Sequence, residues 1–485
     1  MTAPRPADAV PADGAPPRVP TTTPAPASRP APADPWPAPA AAGPVRGTVR
    51  LPGSKSLTNR LLVLAAVADG PCVLHGALAS RDTALMRGAL EALGARCEDR
   101  PDGVLVVTPL PVGEPLAEEA HVDCGLAGTV MRFVPALAAL RPGVVVVDGD
   151  PGARVRPMAP LLAGLEQTGT RVEPLGEPGL LPVRLTTGTP LGDEAAVDAS
   201  DSSQFLSGLL LSAARRPGGL TLRHTGERVP SPEHVAMTVA FLREHGVRVD
   251  EPAPGVWRVH PGPVPAFEAH VEPDLSNAGP FLAAAAVTGG AVSVPDWPAR
   301  TTQIGDRWRE ILPAFGADVA FSPAPGDPSR GTLTVTGGID GEGRPRVSGA
   351  GDVADTAELA PTAAALALLA EGPTRLSGIG HLRGHETDRL AALAAEAARF
   401  GVDVVEGADA LDFPGTAAGG APAAAEARTY EDHRMATFAA VVGLRAPGTR
   451  VRDVATTAKT MPDFPALWEG LVAPPAAAAD RGADA

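Results

Sequence analysis

The sequence predicts an α/β fold of two domains, each built from three similar units. Three observations carry this expectation. First, an Ala/Leu-rich helix, a glycine turn and a short β-branched run recur six times. Their turn glycines, Gly70, Gly143, Gly219, Gly290, Gly372 and Gly448, lie 71 to 82 residues apart. Second, helices closing on glycine before another strand are interleaved with the first pattern, as in ALEALGARCE, LLAGLEQTGTRVE, VAFLREHGVRVD, ILPAFGADVA and AAEAARFGVDVV. Third, hydrophobic residues make up 44% of 485, enough to fill sizeable cores, while aromatics are only 4%. Those cores must therefore be built from Ala, Leu and Val. Units of this length are too large for the common solenoid repeats.

Taken along the chain, residues 1–44 are dominated by Pro and Ala. Such a segment buries too little apolar area to offset chain entropy and is read as a disordered extension. GTVRLPG follows as a strand over 45–51 that joins the second domain, with the last unit as its expected partner. Residues 52–270 form the first domain. Its units are marked by LLVLAAVADGPCVL, VPALAALRPGVVVV and LSGLLLSAARRPGGLTL. Residues 271–470 form the second, with PFLAAAAVTGGAVSV, AALALLAEGPTRL and TFAAVVGLRAPGTRV. In the helices, apolar residues step by three and four, and glycine ends them because it accepts left-handed dihedrals. GTAAGGAPAAAEAR (415–428) reads as a flexible loop, and 471–485 as a disordered tail.

Charge and cysteine usage narrow the function. The chain carries 56 acidic and 41 basic residues, a net charge of -15. A general nucleic-acid or anionic-membrane surface is thereby disfavoured, whereas a small cationic pocket for an anionic metabolite is not. Cys72, Cys97 and Cys124 form no CxxC pair, so neither a disulfide framework nor a metal site is expected. No apolar run reaches the roughly 20 residues of a membrane span, and no secretory leader is recognisable. A cytoplasmic protein is expected.

Against this scaffold the polar motifs stand out. Only two lysines occur among the 41 basic residues: Lys55 in LPGSKSLTNR and Lys459 in TTAKTMPD. Ser56 and Thr58 suit a helix start, where free amides favour an anion, and Lys55 and Arg60 add formal charge. The order GSKS is not that of a P-loop. CGLAGTVMRF is a second glycine-rich turn, containing Gly128 and Arg132. DASDSSQFLSGLLL sets Ser202, Ser203 and Gln204 ahead of an apolar helix, more hydrogen-bonding groups than a cap requires. RVRPMAP, HLRGHETDRL and YEDHRMA each bring arginine to a helix start, and its planar fork suits carboxylate and phosphate oxygens. A lysine ammonium can also surrender a proton, which an arginine cannot do in practice. That difference would explain lysine's retention at two positions.

These segments, in order, resemble the signatures of the 5-enolpyruvylshikimate-3-phosphate synthase family: LPGSKSLTNR, LAGT-MR, SSQFLSGLLL, HETDRL, Y-DHRMA and TAKT-PD. The resemblance runs from about residue 45 to 470. It implies a two-domain enolpyruvyl transferase fold of six βαβαββ-type units, three per domain, with the active site in the interdomain cleft. It implies a 3-phosphoshikimate 1-carboxyvinyltransferase working without metal or organic cofactor. Such an enzyme moves the enolpyruvyl group of phosphoenolpyruvate to the 5-hydroxyl of shikimate 3-phosphate and releases phosphate. The expected partners are these two substrates alone, with no nucleic acid or membrane, and the expected working unit is a monomer.

Carried over residue by residue, the resemblance implies that Lys55, Gly128, Arg156, Gln204, Arg389, Arg434 and Lys459 surround phosphoenolpyruvate. Shikimate 3-phosphate falls to Lys55, Ser56, Arg60, Ser202, Ser203, Gln204, Ser231, Glu358 and His385. Catalysis falls to Lys55, Lys459, Glu386 as proton shuttle and Glu358 as general base, with Asp355 the alternative base. His433, beside Arg434, is expected either to orient phosphate or to be structural. The chain departs from the family pattern at Leu126, Phe133, His234 and His385. The nearest rival, UDP-N-acetylglucosamine enolpyruvyl transferase, has GAKN at the first lysine. A non-catalytic scaffold would have no reason to keep so many like charges.

Overall fold

The computed structural model describes residues 32–188, 191–419 and 421–473. The architecture follows from one local arrangement used repeatedly. In the second unit, strand Ala120–Asp123 lies parallel to Gly143–Asp148, which pairs antiparallel with Val183–Thr187, with Thr170–Pro174 outermost. The helix Gly128–Ala138 links the two parallel strands, as a parallel pair requires. The same order of entry, second, fourth and third strand recurs in all five four-stranded sheets among the described residues, and a three-stranded sheet makes the sixth.

Two sheets borrow their entry strand from a distant part of the chain. Arg46–Thr48 pairs in parallel with Ala291–Pro298 of the fourth unit, and Glu268–His270 pairs in parallel with Cys72–His75 of the first. The two exchanging segments cross side by side. Gly53 bridges Pro273, the Ser54 amide donates to Glu272 O at 2.8 Å, and the Asp274 amide donates to Pro52 O at 2.9 Å. The strand in GTVRLPG thus completes the fourth unit, not the last. Its shape explains the difference: helix Phe464–Val472 packs across Gly47, where Leu471 Cδ1 would lie 2.7 Å from an added Cβ, but hydrogen bonding goes to Ala291–Ser293.

The last unit instead receives Trp36–Pro37, antiparallel to Arg450–Val451. This strand lies within the segment read above as disordered to residue 44. The correction has a definite cause, because Trp36 is 2% exposed and donates from Nε1 to Glu469 at 2.8 Å. One aromatic anchor outweighs the proline-rich composition around it. The expected loop also holds short elements, Thr416–Gly419 and Glu426–Ala427. Residues 1–31 and 474–485 lie outside the described residues.

Buried apolar side chains form two separate clusters, one drawn from Leu61 to Val264 and one from Trp36, Val45, Val49 and Leu275 to Val472. Each is organised around helices buried along almost their whole length, Gly128–Ala138 and Gln204–Ala213 in the first and Leu275–Thr288 and Ala360–Leu369 in the second. Alanine and glycine serve here because they let helices approach closely. A Cβ on Gly208 would stand 2.1 Å from the carbonyl oxygen of Arg132 on the neighbouring helix. The outer helices are amphipathic and end on Gly94, Gly169, Gly246, Gly316 and Gly401, all with positive φ.

Candidate active site

The starts of several helices face one cavity of about 420 Å³. Lys55 is the first residue of Lys55–Ala66, Gly128 of Gly128–Ala138, Gln204 of Gln204–Ala213, Arg389 of Arg389–Arg399 and His433 of His433–Gly443. The Gly128 helix carries no capping side chain, so its first amides keep their capacity for another acceptor. Gly128 has a steric reason as well. A Cβ there would crowd the side chains of Arg132, Gln204 and Arg156 at 3.1, 3.2 and 3.3 Å. Its absence leaves the amide open among three polar groups.

Lys55, Ser56, Gly128, Arg156, Ser202, Ser203, Gln204, Ser231, Glu358, His385, Glu386, Arg389 and Arg434 all line the cavity. Lys459 reaches its wall through Glu386. Arg60 is the exception. It is 2% exposed and does not line the cavity, because its guanidinium is occupied by Thr238 Oγ1 at 2.9 Å, His234 O at 3.0 Å and Ser56 O at 3.1 Å. Burial lowers its pKa to about 10, opposed by the charge of Glu358. Ser202 is partly a cap after all, since its Oγ accepts the Gln204 amide at 3.3 Å.

Two carboxylates organise the cations. Glu386 receives Lys459 Nζ at 2.5 Å and Arg389 Nη2 at 2.8 Å. Burial opposes its charge, but Lys459, then Arg389, with Arg156 further off, hold it well below the usual carboxylate range. Arg389 is fixed from behind by Asp432, with Nε donating at 2.7 Å. Glu358, also in the cavity lining, accepts from Ser276 Oγ at 3.1 Å, with His234 Nε2 at 3.3 Å and Arg434 Nη2 at 3.7 Å. Burial again opposes its charge, and His234 with Arg434 prevails to keep it ionised. Asp355 does not line the cavity. Its left-handed backbone turns it outward, where it accepts from Arg228 Nη2 at 2.6 Å.

Lys55 Nζ is held 3.3 Å from Asp82 Oδ2, and its amide donates to Asp274 of the other core at 3.3 Å. His385 and His433 are both pushed well below their ordinary pKa, by burial and then by Arg389 and Arg434 respectively. They face the cavity uncharged near neutrality. Arg132 Nε, Arg156 Nε and both ring nitrogens of His433 find no hydrogen-bond partner among the described residues. Buried donors in that condition are costly unless a ligand completes them.

Sequence reasoning gave no role to several lining residues. Arg132 is buried beside Arg156, donates to Gln204 Oε1 at 3.0 Å, and has its pKa lowered to about 9, by burial first and then by Arg156. It was visible in CGLAGTVMRF. Thr129, His381 and Arg383 also line the cavity. Asp432 was visible in YEDHRMA, but nothing local signals that it backs Arg389, 43 residues away. His234, noted above as a departure from the family pattern, is the partner of Glu358.

The protein family described as EPSP synthase (3-phosphoshikimate 1-carboxyvinyltransferase) matches residues 39–468. A 3-phosphoshikimate 1-carboxyvinyltransferase of Kocuria rhizophila is 53% identical over 450 residues, covering 90% of this chain and 97% of that one. One from Bifidobacterium longum is 48% identical over 451 residues, covering 90% and 98%. Among solved structures, an EPSP synthase from Acinetobacter baumannii superposes with a TM-score of 0.72 at 24% identity, over 88% of this chain and 96% of that one. The enolpyruvyl transferase NikO from Streptomyces tendae gives 0.68 at 19% identity, over 89% and 96%. At these identities the two structures speak to the fold alone.

Proposed function

The chain belongs to the EPSP synthase (3-phosphoshikimate 1-carboxyvinyltransferase) family, and we propose how its cleft performs enolpyruvyl transfer. The reaction joins the enolpyruvyl group of phosphoenolpyruvate to the 5-hydroxyl of shikimate 3-phosphate and releases phosphate. One observation carries the reading: Lys55, Arg132, Arg156, Arg383, Arg389 and Arg434 converge on a single cavity in a chain of net charge -15. Cations so placed repel one another unless polyanions lie between them.

In this reading phosphoenolpyruvate lies against Lys55, the Gly128 amide, Arg156, Gln204, Arg389, Arg434 and Lys459. The unpartnered Nε atoms of Arg132 and Arg156 support an oxyanion there. Shikimate 3-phosphate lies against Ser56, Ser202, Ser203, Ser231 and His385, and shares Lys55 and Gln204. His385, being uncharged, hydrogen-bonds rather than pairs with phosphate. Arg60 acts at one remove, by holding Ser56 O and His234 O.

Glu358 is the base that takes the proton of the 5-hydroxyl as its oxygen attacks carbon 2. The proton gained by the methylene carbon comes by way of Glu386 and Lys459, giving a methyl group and a tetrahedral intermediate. Phosphate then leaves with a proton that Lys55 donates and regains from Glu358, and the Glu386–Lys459 pair removes one from the methyl to restore the double bond. Lys55 and the arginines stabilise the charge on the departing phosphate. A monomer is proposed as the working unit. Three free cysteines fit a cytoplasmic setting.

Phosphate release from phosphoenolpyruvate, measured with and without shikimate 3-phosphate, tests the reading. Release that requires shikimate 3-phosphate is expected. Release that requires UDP-N-acetylglucosamine instead, or no release with either, overturns it.

A further inference from the structure

His75, Glu268 and His270 stand together on one face at the edge of the first sheet, and none of them lines the substrate cavity. The strand register explains why. Glu268 and His270 are two residues apart on the edge strand and so share a face, and His75 lies directly opposite His270 on the parallel neighbour. His75 Nε2 is 2.6 Å from Glu268 Oε1, and the two imidazoles stack with centroids 4.3 Å apart. One ligand atom from each of the three lies within 4.8 Å of the others.

We propose that His75, Glu268 and His270 bind a divalent transition-metal ion of the Zn²⁺ class. Two imidazoles with one carboxylate form a donor set that suits such an ion rather than Mg²⁺ or Ca²⁺. Tetrahedral ligands at the usual Zn²⁺ distances are roughly 3.4 Å apart, so the widest pair need close by little more than an ångström, while His75 Nε2 and Glu268 Oε1, at 2.6 Å, must part slightly. The stacked rings lie within 13° of parallel and must tilt for both lone pairs to meet one ion. The side chains are partly or fully exposed, so that rotation is not resisted by packing. Neighbouring donors are already engaged: Glu272 accepts from Thr301 and Gln303, and His245 Nδ1 lies 2.8 Å from Phe241 O.

The position gives the ion a structural consequence. The chain passes from His270 directly into Val271, whose amide bonds to His75 O, and then to Asp274 at the start of the other core's first helix. An ion there would fasten a borrowed strand held by only three registered residues to its sheet, just before the crossing.

Zn²⁺ titration of the full-length protein by isothermal calorimetry, in a non-chelating buffer, tests this. The wild type should bind one Zn²⁺ that His270→Ala weakens roughly a hundredfold, given the share of binding energy each ligand carries. Glu268→Gln should weaken it too, and His75→Ala/His270→Ala should abolish it while turnover stays at the wild-type rate. His121→Ala, beside Glu119 on another sheet, should change nothing. Equal binding by the wild type and the double variant, or no binding by the wild type, overturns the proposal.

Discussion

Lys459 and Glu386, 73 residues apart in sequence, meet as an ammonium and a carboxylate at 2.5 Å, and Arg389 closes on the other carboxylate oxygen at 2.8 Å. The two cations and the carboxylate therefore meet at one point of the cavity wall. A lysine can both hold and release a proton there.

Replacing either lysine by arginine keeps the charge and removes the removable proton. Lys459→Arg and Lys55→Arg should each lower kcat by about 10²-fold or more, the scale of general acid–base contributions. Steady-state phosphate release measures this, and wild-type kcat in both variants would sink the proton-transfer role.

The two candidate bases separate cleanly. Glu358→Gln should lower kcat by about 10² to 10⁴, because the base is lost within the cavity. Asp355→Asn breaks only its exposed pair with Arg228, worth at most about 1 kcal/mol, and should change kcat/KM by less than about fivefold. The reverse ranking in the phosphate-release assay would reassign the base.

Stability should fall with acid earlier than carboxylates alone dictate. His385 and His433 are held below the ordinary value of 6.5 by burial and neighbouring arginines, so the unfolded chain binds protons that the folded one refuses. Their contribution is complete above pH 6.5 and declines below it, by about 1.4 kcal/mol per pH unit for each histidine. Glu358 and Glu386, depressed from 4.5, add a further loss as pH falls below that value. Urea unfolding of the unliganded protein at about pH 7.5, 6.5 and 5.5 measures the slope. A flat profile to pH 5.5 would contradict it.

Gly208→Ala sets two effects against each other. Helix propensity favours alanine by about 1 kcal/mol, but its Cβ would stand 2.1 Å from the Arg132 carbonyl, a backbone atom with little room to move. Overpacking of this kind costs about 1–3 kcal/mol, and more where the neighbour cannot yield. A net destabilisation of about 2 kcal/mol is expected by denaturant unfolding, with a fall in kcat/KM as Arg132 and Gln204 shift.

Much of this was legible because the physics is local. The glycines of the second pattern announce left-handed helix ends, and Gly94, Gly169, Gly246, Gly316 and Gly401 all have them. Helix starts bearing Lys55, Gly128, Gln204 and Arg389 carry their own signatures. What escaped depends on long-range partners. Trp36 is a lone tryptophan in proline-rich sequence until Glu469, 433 residues away, accepts its indole N–H. Asp82 behind Lys55 and Asp432 behind Arg389 belong to the supports of the site, which no short motif marks. Arg60 shows the converse: a motif residue of the right charge whose donors are taken up by Thr238 and two carbonyls.

A double-mutant cycle on Lys459 and Glu386, read as kcat for phosphate release, tests most directly whether the two act as one proton-transferring unit. Lys459→Arg and Glu386→Gln should each be severe, and the double variant no slower than the worse single one. Penalties that multiply in the double variant would mean that the two residues act independently, and the account of the site would fail.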